Sequence, residues 1–199
     1  MADPLSQFWS PVCAVGSHGA NGPNAQICVS VFGASVVQDR PRLQVNLWKD
    51  NYTHDLVRES GTLAITVLAE SQVALVERFG LVSGRDGDKL ADTGFALTAS
   101  GDPYFPGGAA MIDCTVLSTF DLGDATGFLV AVRERRWLSD APVLTRLRMH
   151  ELLGPEFAAK WEAKLGRSVD GYREQMVWAR RRAEVRAATH ARRRRGRRP

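Results

Sequence analysis

The stretch GPNAQICVSVFGASV, residues 22–36, predicts a β-strand that is entered through a turn. Small and polar side chains recur along it where a core strand would carry Leu or Phe: Ser30, Gly33, Ala34 and Ser35. Asn24 and Gln26 add amide groups at the start of the strand. Because a flat heterocycle needs free space beside a backbone together with hydrogen-bonding groups, the stretch predicts a ligand groove.

Runs with the character of strands occupy most of the first two thirds of the chain. They are short, rich in Val and Ile, and separated by Gly, Pro, Asn and Asp turns: residues 11–17, 25–32, 42–48, 62–69, 109–123 and 126–138. Alternation is visible where Leu43, Val45 and Leu47 alternate with polar residues. This rhythm predicts a mainly β (α+β) fold, an antiparallel barrel or sandwich, and argues against repeated βαβ units.

Four helices are predicted, and the first two, at 53–60 and 72–79, lie between strands, where each can plug an end of a barrel. A third begins near Pro155 and ends at Gly166, and a last one covers about 169–189. We therefore expect a domain over residues 1–154 and a C-terminal helical extension over 155–199 that ends in a basic tail.

Charge is distributed unevenly. The formal net charge is +4, but ten arginines lie from Arg180 onward against one acid, while residues 1–179 carry 16 basic and 21 acidic side chains. The tail predicts non-specific binding to nucleic acid or another acidic surface, with a solvated end as the simpler alternative.

The three cysteines form no CxxC pair, which favours a reducing cytoplasm over a disulfide framework or a zinc site. The N-terminus lacks the features of a signal peptide, and the longest apolar run, near 63–69, is too short to span a bilayer. We therefore expect neither export nor a membrane association.

Familiar catalytic and metal-binding motifs are missing from the sequence. The four histidines are scattered, and there is no HExxH, nucleophile elbow, Walker loop or Rossmann fingerprint, so no metal and no catalytic residue is predicted. What remains are small polar and basic residues near helix starts: Lys49, Asn51 and Thr53, then Ser83, Arg85 and Lys89. A helix N-terminus with hydroxyls and cations suits a phosphate monoester, although each residue could also serve as an ordinary cap, turn or solvated loop residue.

Five short sequence elements, in their order along the chain, resemble those of the flavin reductase-like, FMN-binding split-barrel family. This family includes flavoredoxin and the reductase components of two-component flavin monooxygenases. The five elements are the Asn24-Ala25 strand opening with Ser30, the Ser35-x-x-x-Asp39-x-Pro41 turn, the Lys49-x-Asn51-x-Thr53 helix entry, the SGTLAITVL strand and the RFG…SGRD…K segment. The resemblance covers about residues 10–138.

This resemblance implies a six-stranded antiparallel Greek-key barrel that forms a homodimer and binds FMN, or sometimes FAD, near the dimer interface. It implies Asn24, Ala25 and Gln26 beside the pyrimidine edge of the ring, with Ser30 and Ser35 along the ribityl chain and phosphate. It also implies binding at the helix start by Lys49, Asn51 and Thr53, and closure over the phosphate by Ser83, Arg85 and Lys89.

The implied chemistry belongs to the cofactor: hydride from NAD(P)H to the flavin, then electrons to free flavin or another acceptor, such as a partner monooxygenase. One departure from the family's sequence pattern concerns the electron donor, NAD(P)H. Many members carry Gly-Asp-His before their last barrel strand, whereas this chain has GDATGFLVAV, with Ala125 and Thr126 at that point. A flavoredoxin-like electron carrier therefore remains an alternative, as does a binding module that acts through the basic tail with the barrel as scaffold.

Overall fold

The computed structural model describes residues 11–173 of the chain. Within this range it contains nine strands and three α-helices, which are joined by turns and loops. The strands are β1 (Cys13–Gly19), β2 (Gly22–Cys28), β3 (Val31–Gly33), β4 (Arg42–Trp48), β5 (Thr62–Val67), β6 (Ala96–Leu97), β7 (Pro103–Tyr104), β8 (Ala110–Asp121) and β9 (Ala125–Trp137). The helices are α1 (Tyr52–Ser60), α2 (Ala74–Leu81) and α3 (Arg146–Arg173), with a 3-10 turn (Glu70–Gln72) before α2.

Seven strands form one antiparallel sheet in the order β2-β1-β5-β8-β9-β4-β3. Its two edge strands, β2 and β3, are separated in sequence by Val29 and Ser30 alone. Three residue steps span at most about 11 Å, so the sheet has to curl until its edges adjoin. The mainly β, antiparallel prediction is confirmed, but the six-strand count is wrong, because the single strand expected over 25–32 breaks here and pairs with β1 on one side and β4 on the other.

The period-2 alternation of strand residues gives this sheet an inner and an outer apolar face. Cys13 and Val15 lie in the inner cluster, whereas Val12 and Ala14 lie in the outer one. Val57 of α1 is fully buried in the inner cluster. Helix α1 therefore plugs the curled sheet, as predicted.

Helix α2 packs on the outer face instead. Val76 and Phe79 belong to the same cluster as Val12, Ala14 and Ala25. The prediction that this helix plugs an end of the barrel is wrong, because the small side chains of β1 and β2 leave an outer surface that needs an apolar cover.

Helix α3 (Arg146–Arg173) consists of two helical segments that meet at Gly154. The second segment begins at Pro155, as predicted, but it continues through the predicted end at Gly166 to Arg173. The helix bends at Gly154, whose φ of 69° and ψ of −172° are non-helical, directly before Pro155. Met149 and Phe157, on either side of the bend, are both buried in the outer cluster. The division into domains at 154/155 remains a prediction.

The Arg-rich tail, most of the helix expected over 169–189 and residues 1–10 lie outside the described residues. Within residues 11–173, no helix combines the length and apolar character needed to cross a membrane.

Candidate functional site

The junction between the two edges of the sheet opens into a groove. At its closed end, the Asn46 N–H donates to the carbonyl of Ser30 at 3.0 Å, and the Cys28 thiol lies 3.5 Å from the carbonyl oxygen of Asn46. Among the described residues, no ladder of backbone hydrogen bonds joins β2 to β4. The gap that remains between these strands is called the seam groove below.

The seam groove holds a cavity of about 90 Å³. From the strands and loops, the cavity is lined by Gln26, Ile27, Cys28, Val29, Ser30, Asn46, Trp48 and Asn51. From the helices, it is lined by Phe79, Gly80, Trp161, Lys164 and Leu165. An adjoining cavity of about 270 Å³ shares Trp48 and Leu165 and extends along α3 to Tyr172. Aromatic walls with a few amide and hydroxyl groups suit a flat, partly polar ligand.

Gln26 is the polar residue of this groove with unused hydrogen-bonding capacity. Its side chain is 4% exposed, and its Oε1 is buried without a hydrogen-bond partner among the described residues. An unsatisfied buried acceptor costs about 1–3 kcal/mol. Gln26 is the cross-strand partner of Val15, so its side chain lies on the inner face of the sheet and its Oε1 is a buried acceptor there.

Asn51 brings the start of α1 to the same groove. It occupies the N-cap position, but its side chain makes no capping hydrogen bond. Since the first N–H groups of a helix carry partial positive charge, this end of the groove favours an anionic group.

Asn24 belongs to a separate cavity of about 330 Å³, which Tyr52, Gly84 and Lys89 also line. Its Nδ2 donates to Thr53 Oγ1 at 2.8 Å, and both side chains are buried. The amide also fills the space in front of Gly84, where a Cβ would overlap it. Asn24 and Thr53 therefore hold the strand, α1 and the 83–89 loop together.

Lys89 is buried and donates to the Val82 carbonyl at 3.1 Å, near the C-terminal end of α2. Burial, with the charge of Lys164 as the second cause, lowers the pKa of Lys89 to about 8. Two cations thus approach the end of α2, whose carbonyl groups carry partial negative charge.

The other predicted cations are engaged by acceptors of this chain. Lys49 Nζ donates to Asp121 Oδ1 at 2.7 Å and to the Gly123 carbonyl at 2.6 Å. Arg85 forms an ion pair with Asp55 at 2.6 Å. A phosphate would have to exchange with these partners.

The remaining predicted residues lie apart from the seam groove. Ser35 is exposed after β3 and accepts a hydrogen bond from the Val37 N–H, and Ser83 accepts one from the Arg85 N–H. Ala25 is fully buried in the outer core cluster. The structure therefore brings Gln26, Ser30 and Asn51 together and separates them from the rest.

Thr126, at the position where the resemblance places a histidine, is contacted by a histidine of α1. His54 Nε2 lies 2.9 Å from Thr126 Oγ1, and its Nδ1 lies 3.0 Å from Asp55 Oδ1. His54 is 3% exposed. Its two ring nitrogens are thus occupied by a hydroxyl and a carboxylate.

The sequence analysis predicted Gln26, Ser30 and Asn51 but missed the other residues of the groove, among them Asn46 and Trp48 of β4 and Trp161 and Lys164 of α3. The i, i+4 spacing of Phe157 and Trp161 does predict an apolar face on this helix. Nothing in that spacing indicates that the face covers a gap between two strands far away in sequence.

Comparison with known proteins places this chain in a family context. Residues 5–150 match the model of the family described as "Flavin reductase like domain". The chain is 38% identical over 120 residues to "Flavin-dependent monooxygenase, reductase subunit HsaB" of Rhodococcus jostii, covering 60% of this chain and 59% of that protein. It is 29% identical over 131 residues to "High molecular weight rubredoxin" of Moorella thermoacetica, covering 65% and 56%. The chain thus spans somewhat over half the length of these two relatives.

Among solved structures, nitrilotriacetate monooxygenase component B, a homologue from Mycobacterium thermoresistibile, superposes with a TM-score of 0.61 at 26% identity. The match covers 68% of this chain and 73% of that one.

Proposed function

The chain belongs to the flavin reductase like domain family, and from this membership we propose that it is a flavin-binding oxidoreductase that passes electrons through bound FMN to free flavin or another acceptor. FAD is the alternative cofactor. NAD(P)H is the proposed donor, and a partner monooxygenase is the proposed consumer of the reduced flavin.

The observation that carries this proposal is the seam groove itself, which opens beside the edge strand β2 and has aromatic walls. The isoalloxazine ring has one N–H on its pyrimidine edge, between two carbonyl groups, and the rest of its surface is flat and aromatic. Trp48, Trp161 and Phe79 supply matching apolar walls. We propose that these walls hold the flat ring of a flavin.

When bound, a flavin supplies two-electron chemistry, and the chain supplies binding, orientation and exclusion of water. Gln26 and Ser30 both line the groove, and they would contact the pyrimidine edge of the ring and the ribityl chain, respectively. The end of α1 at Asn51 favours the anionic part of the ligand. The other residues remain proposals from the resemblance: Asn24 and Ala25 near the pyrimidine edge, Ser35 along the ribityl chain and phosphate, Lys49 and Thr53 at the start of α1, and Ser83, Arg85 and Lys89 over the phosphate.

The absorbance spectrum of the purified protein tests cofactor binding. We expect flavin bands as purified or after FMN is added and excess is removed, with saturation at one FMN per chain. A colourless protein that takes up neither FMN nor FAD would refute the proposal.

Steady-state oxidation of NADH and NADPH with free FMN separates a reductase from an electron carrier. The alternative role, a flavoredoxin-like carrier, is favoured by the occupied ring nitrogens of His54 and by Thr126 at the position of the missing histidine. Oxidation above the rate without protein supports the reductase. No oxidation by a protein that binds FMN supports the carrier.

We also propose a homodimer and a reducing cytoplasm, the latter supported by three free, buried cysteines. Non-specific nucleic-acid binding through the Arg-rich tail remains a prediction from the sequence, and it is tested by removing residues 179–199. Salt-sensitive retention on DNA that survives this truncation would contradict it.

A further inference from the structure

The cavity of about 270 Å³ beside the seam groove is called the α3 cavity below. It shares Trp48 and Leu165 with the groove, and Val169 and Tyr172 of α3 continue its apolar wall. Pockets for drug-sized ligands measure roughly 300–1,000 Å³, so the α3 cavity suits a smaller ligand with a single ring. Its wall contains two aromatic side chains on which such a ring can stack.

Contacts between distant parts of the chain close the α3 cavity. Trp48 ends β4, and the N–H of the next residue, Lys49, donates to the Asp124 carbonyl at 3.0 Å. The Tyr172 hydroxyl donates to Asp50 Oδ1 at 2.5 Å, which joins α3 to the turn before α1. Two carboxylates and two aromatic rings are thus brought to one cavity, since all four of these residues line it.

The residues that line the α3 cavity carry more negative than positive charge. Asp50 and Asp124 are its acidic residues, and Arg173 is its basic residue in the described part of the chain. The Arg173 side chain is 74% exposed, and its Nη2 lies 3.9 Å from Asp170, which does not line the cavity. Burial is the main reason that the pKa of Tyr172 is raised to about 12, and the two carboxylates add to this rise. Both carboxylates therefore act on the same end of the cavity.

Asp124 is the carboxylate with free binding capacity. Asp50 already accepts the hydrogen bond from Tyr172, whereas the half-buried Asp124 side chain forms no hydrogen bond or ion pair within residues 11–173. An organic cation is attracted both by a carboxylate and by the face of a Trp or Tyr ring. Because an inorganic cation would gain little from the apolar wall, this combination favours an organic one.

We propose that the α3 cavity binds an organic cation of the pyridinium class, which stacks on Trp48 and Tyr172 and directs its charge to Asp124. The family match ends at residue 150, so the family domain alone does not supply this site. The α3 cavity and the seam groove are neighbouring sites, because they share a wall. The proposal does not rest on flavin binding in the groove.

Three ligands of one shape and different charge test the recognition. N-methylnicotinamidium is a pyridinium cation, meta-toluamide is its neutral isostere, and meta-toluate is the corresponding anion. We expect the full chain, without added flavin, to bind the cation about tenfold more tightly than meta-toluamide, and meta-toluate more weakly still. Isothermal titration calorimetry at low ionic strength measures the three Kd values. Tetramethylammonium should bind more weakly than N-methylnicotinamidium, because it has no ring to stack.

Asp124→Asn removes the charge and keeps the size of the side chain. It should raise the Kd for N-methylnicotinamidium about tenfold and leave the Kd for meta-toluamide unchanged. Asp124→Lys should reverse the preference, so that meta-toluate binds more tightly than the cation. Asp140→Asn is the matched control, since Asp140 is exposed and does not line the α3 cavity, and it should bind every ligand as the wild type does.

Equal Kd values for N-methylnicotinamidium and meta-toluamide would overturn the proposal, as would a wild-type protein that does not bind the cation. An unchanged Kd for the cation in Asp124→Asn, or the same loss in Asp140→Asn, would also overturn it. Tetramethylammonium that binds as tightly as the pyridinium would refute stacking on the two rings. FMN uptake is measured separately by absorbance, so failure of this site and failure of the proposed function are distinguishable.

Discussion

Gln26 is the residue on which flavin affinity should depend most directly. Replacing Gln26 by Leu keeps a similar volume but removes the acceptor for the ring N–H. We expect Kd for oxidised FMN to rise about tenfold, which corresponds to one hydrogen bond of about 1.4 kcal/mol. Titration with FMN, followed by fluorescence quenching, measures this Kd.

The same chemical change at Gln38 serves as the control, because Gln38 is exposed on the loop after β3. Gln38→Leu should leave Kd unchanged. If Gln26→Leu also binds FMN with wild-type affinity, the ring does not lie against Gln26.

Asp102 is a buried carboxyl group remote from the seam groove. It is fully buried, its Oδ1 lies 2.7 Å from His18 Nδ1, and its Oδ2 has no hydrogen-bond partner within residues 11–173. Burial raises the pKa of Asp102, the hydrogen bond from His18 opposes that rise, and the nearby Asp113 adds to it.

Because the folded-state pKa of Asp102 is raised, the folded protein binds this proton more tightly than the unfolded chain does. The cost of the buried charge is fully present above the folded pKa and disappears as the pH falls towards the unfolded value. Asp102→Asn should therefore increase the free energy of unfolding by about 1 kcal/mol at pH 8, and by less at pH 4. Urea unfolding across this range measures the difference from the wild type.

Asp140→Asn, at an exposed position, is the control and should show no such pH-dependent difference. A loss of stability in Asp102→Asn at pH 8 would mean that the ion pair with His18 outweighs the burial cost.

At the scale of elements, the packing of α3 on α2 depends on the absence of a side chain at Gly80. A Cβ there would overlap the Trp161 ring, so Gly80→Ala forces the two helices apart. We expect a loss of about 1–3 kcal/mol in the free energy of unfolding, measured by urea titration, and weaker FMN binding because the cover of the groove moves.

Gly166→Ala tests the same substitution where there is open space around the added methyl group. This change should stabilise the protein by about 0.5–1 kcal/mol, because Ala is the better helix former. Equal effects of the two variants would contradict close packing of α3 against Gly80.

At the scale of the whole molecule, exposed apolar side chains support the proposed homodimer. Val36 is 96% exposed, and several other large apolar residues lie at the surface of the strands: Phe32, Leu117, Phe120 and Trp137. We expect a dimer in sedimentation velocity at micromolar concentration. Val36→Lys should weaken it at least tenfold, because a charge would be buried at the interface.

Leu147→Lys provides the control, since Leu147 is exposed on α3 and belongs to no strand. It should leave the dimer intact. A wild-type protein that sediments as a monomer at 100 times that concentration would contradict the homodimer.

The sequence by itself determined the antiparallel β character, because alternation with period 2 and turn residues are local properties of the chain. It also predicted Gln26 and Ser30, from small and amide side chains on a strand, and Asn51, from its place at a helix start, as ligand-binding residues, and these three do line one groove. The break of the 25–32 strand into β2 and β3 was not predictable. Both halves suit a strand, and only their different partners, β1 and β4, divide them.

Only the tertiary structure decided which polar residues share a cavity and which cations are already engaged. Lys49 and Arg85 carry the right charge for a phosphate, but their ion pairs with Asp121 and Asp55 join segments distant in sequence. Lys164 was not predicted for the same reason: its place in the groove follows from the bend at Gly154 and the contact of Trp161 with Gly80. Local patterns determine the elements, whereas closure of the sheet and docking of the helix, which depend on contacts across the whole chain, determine the site.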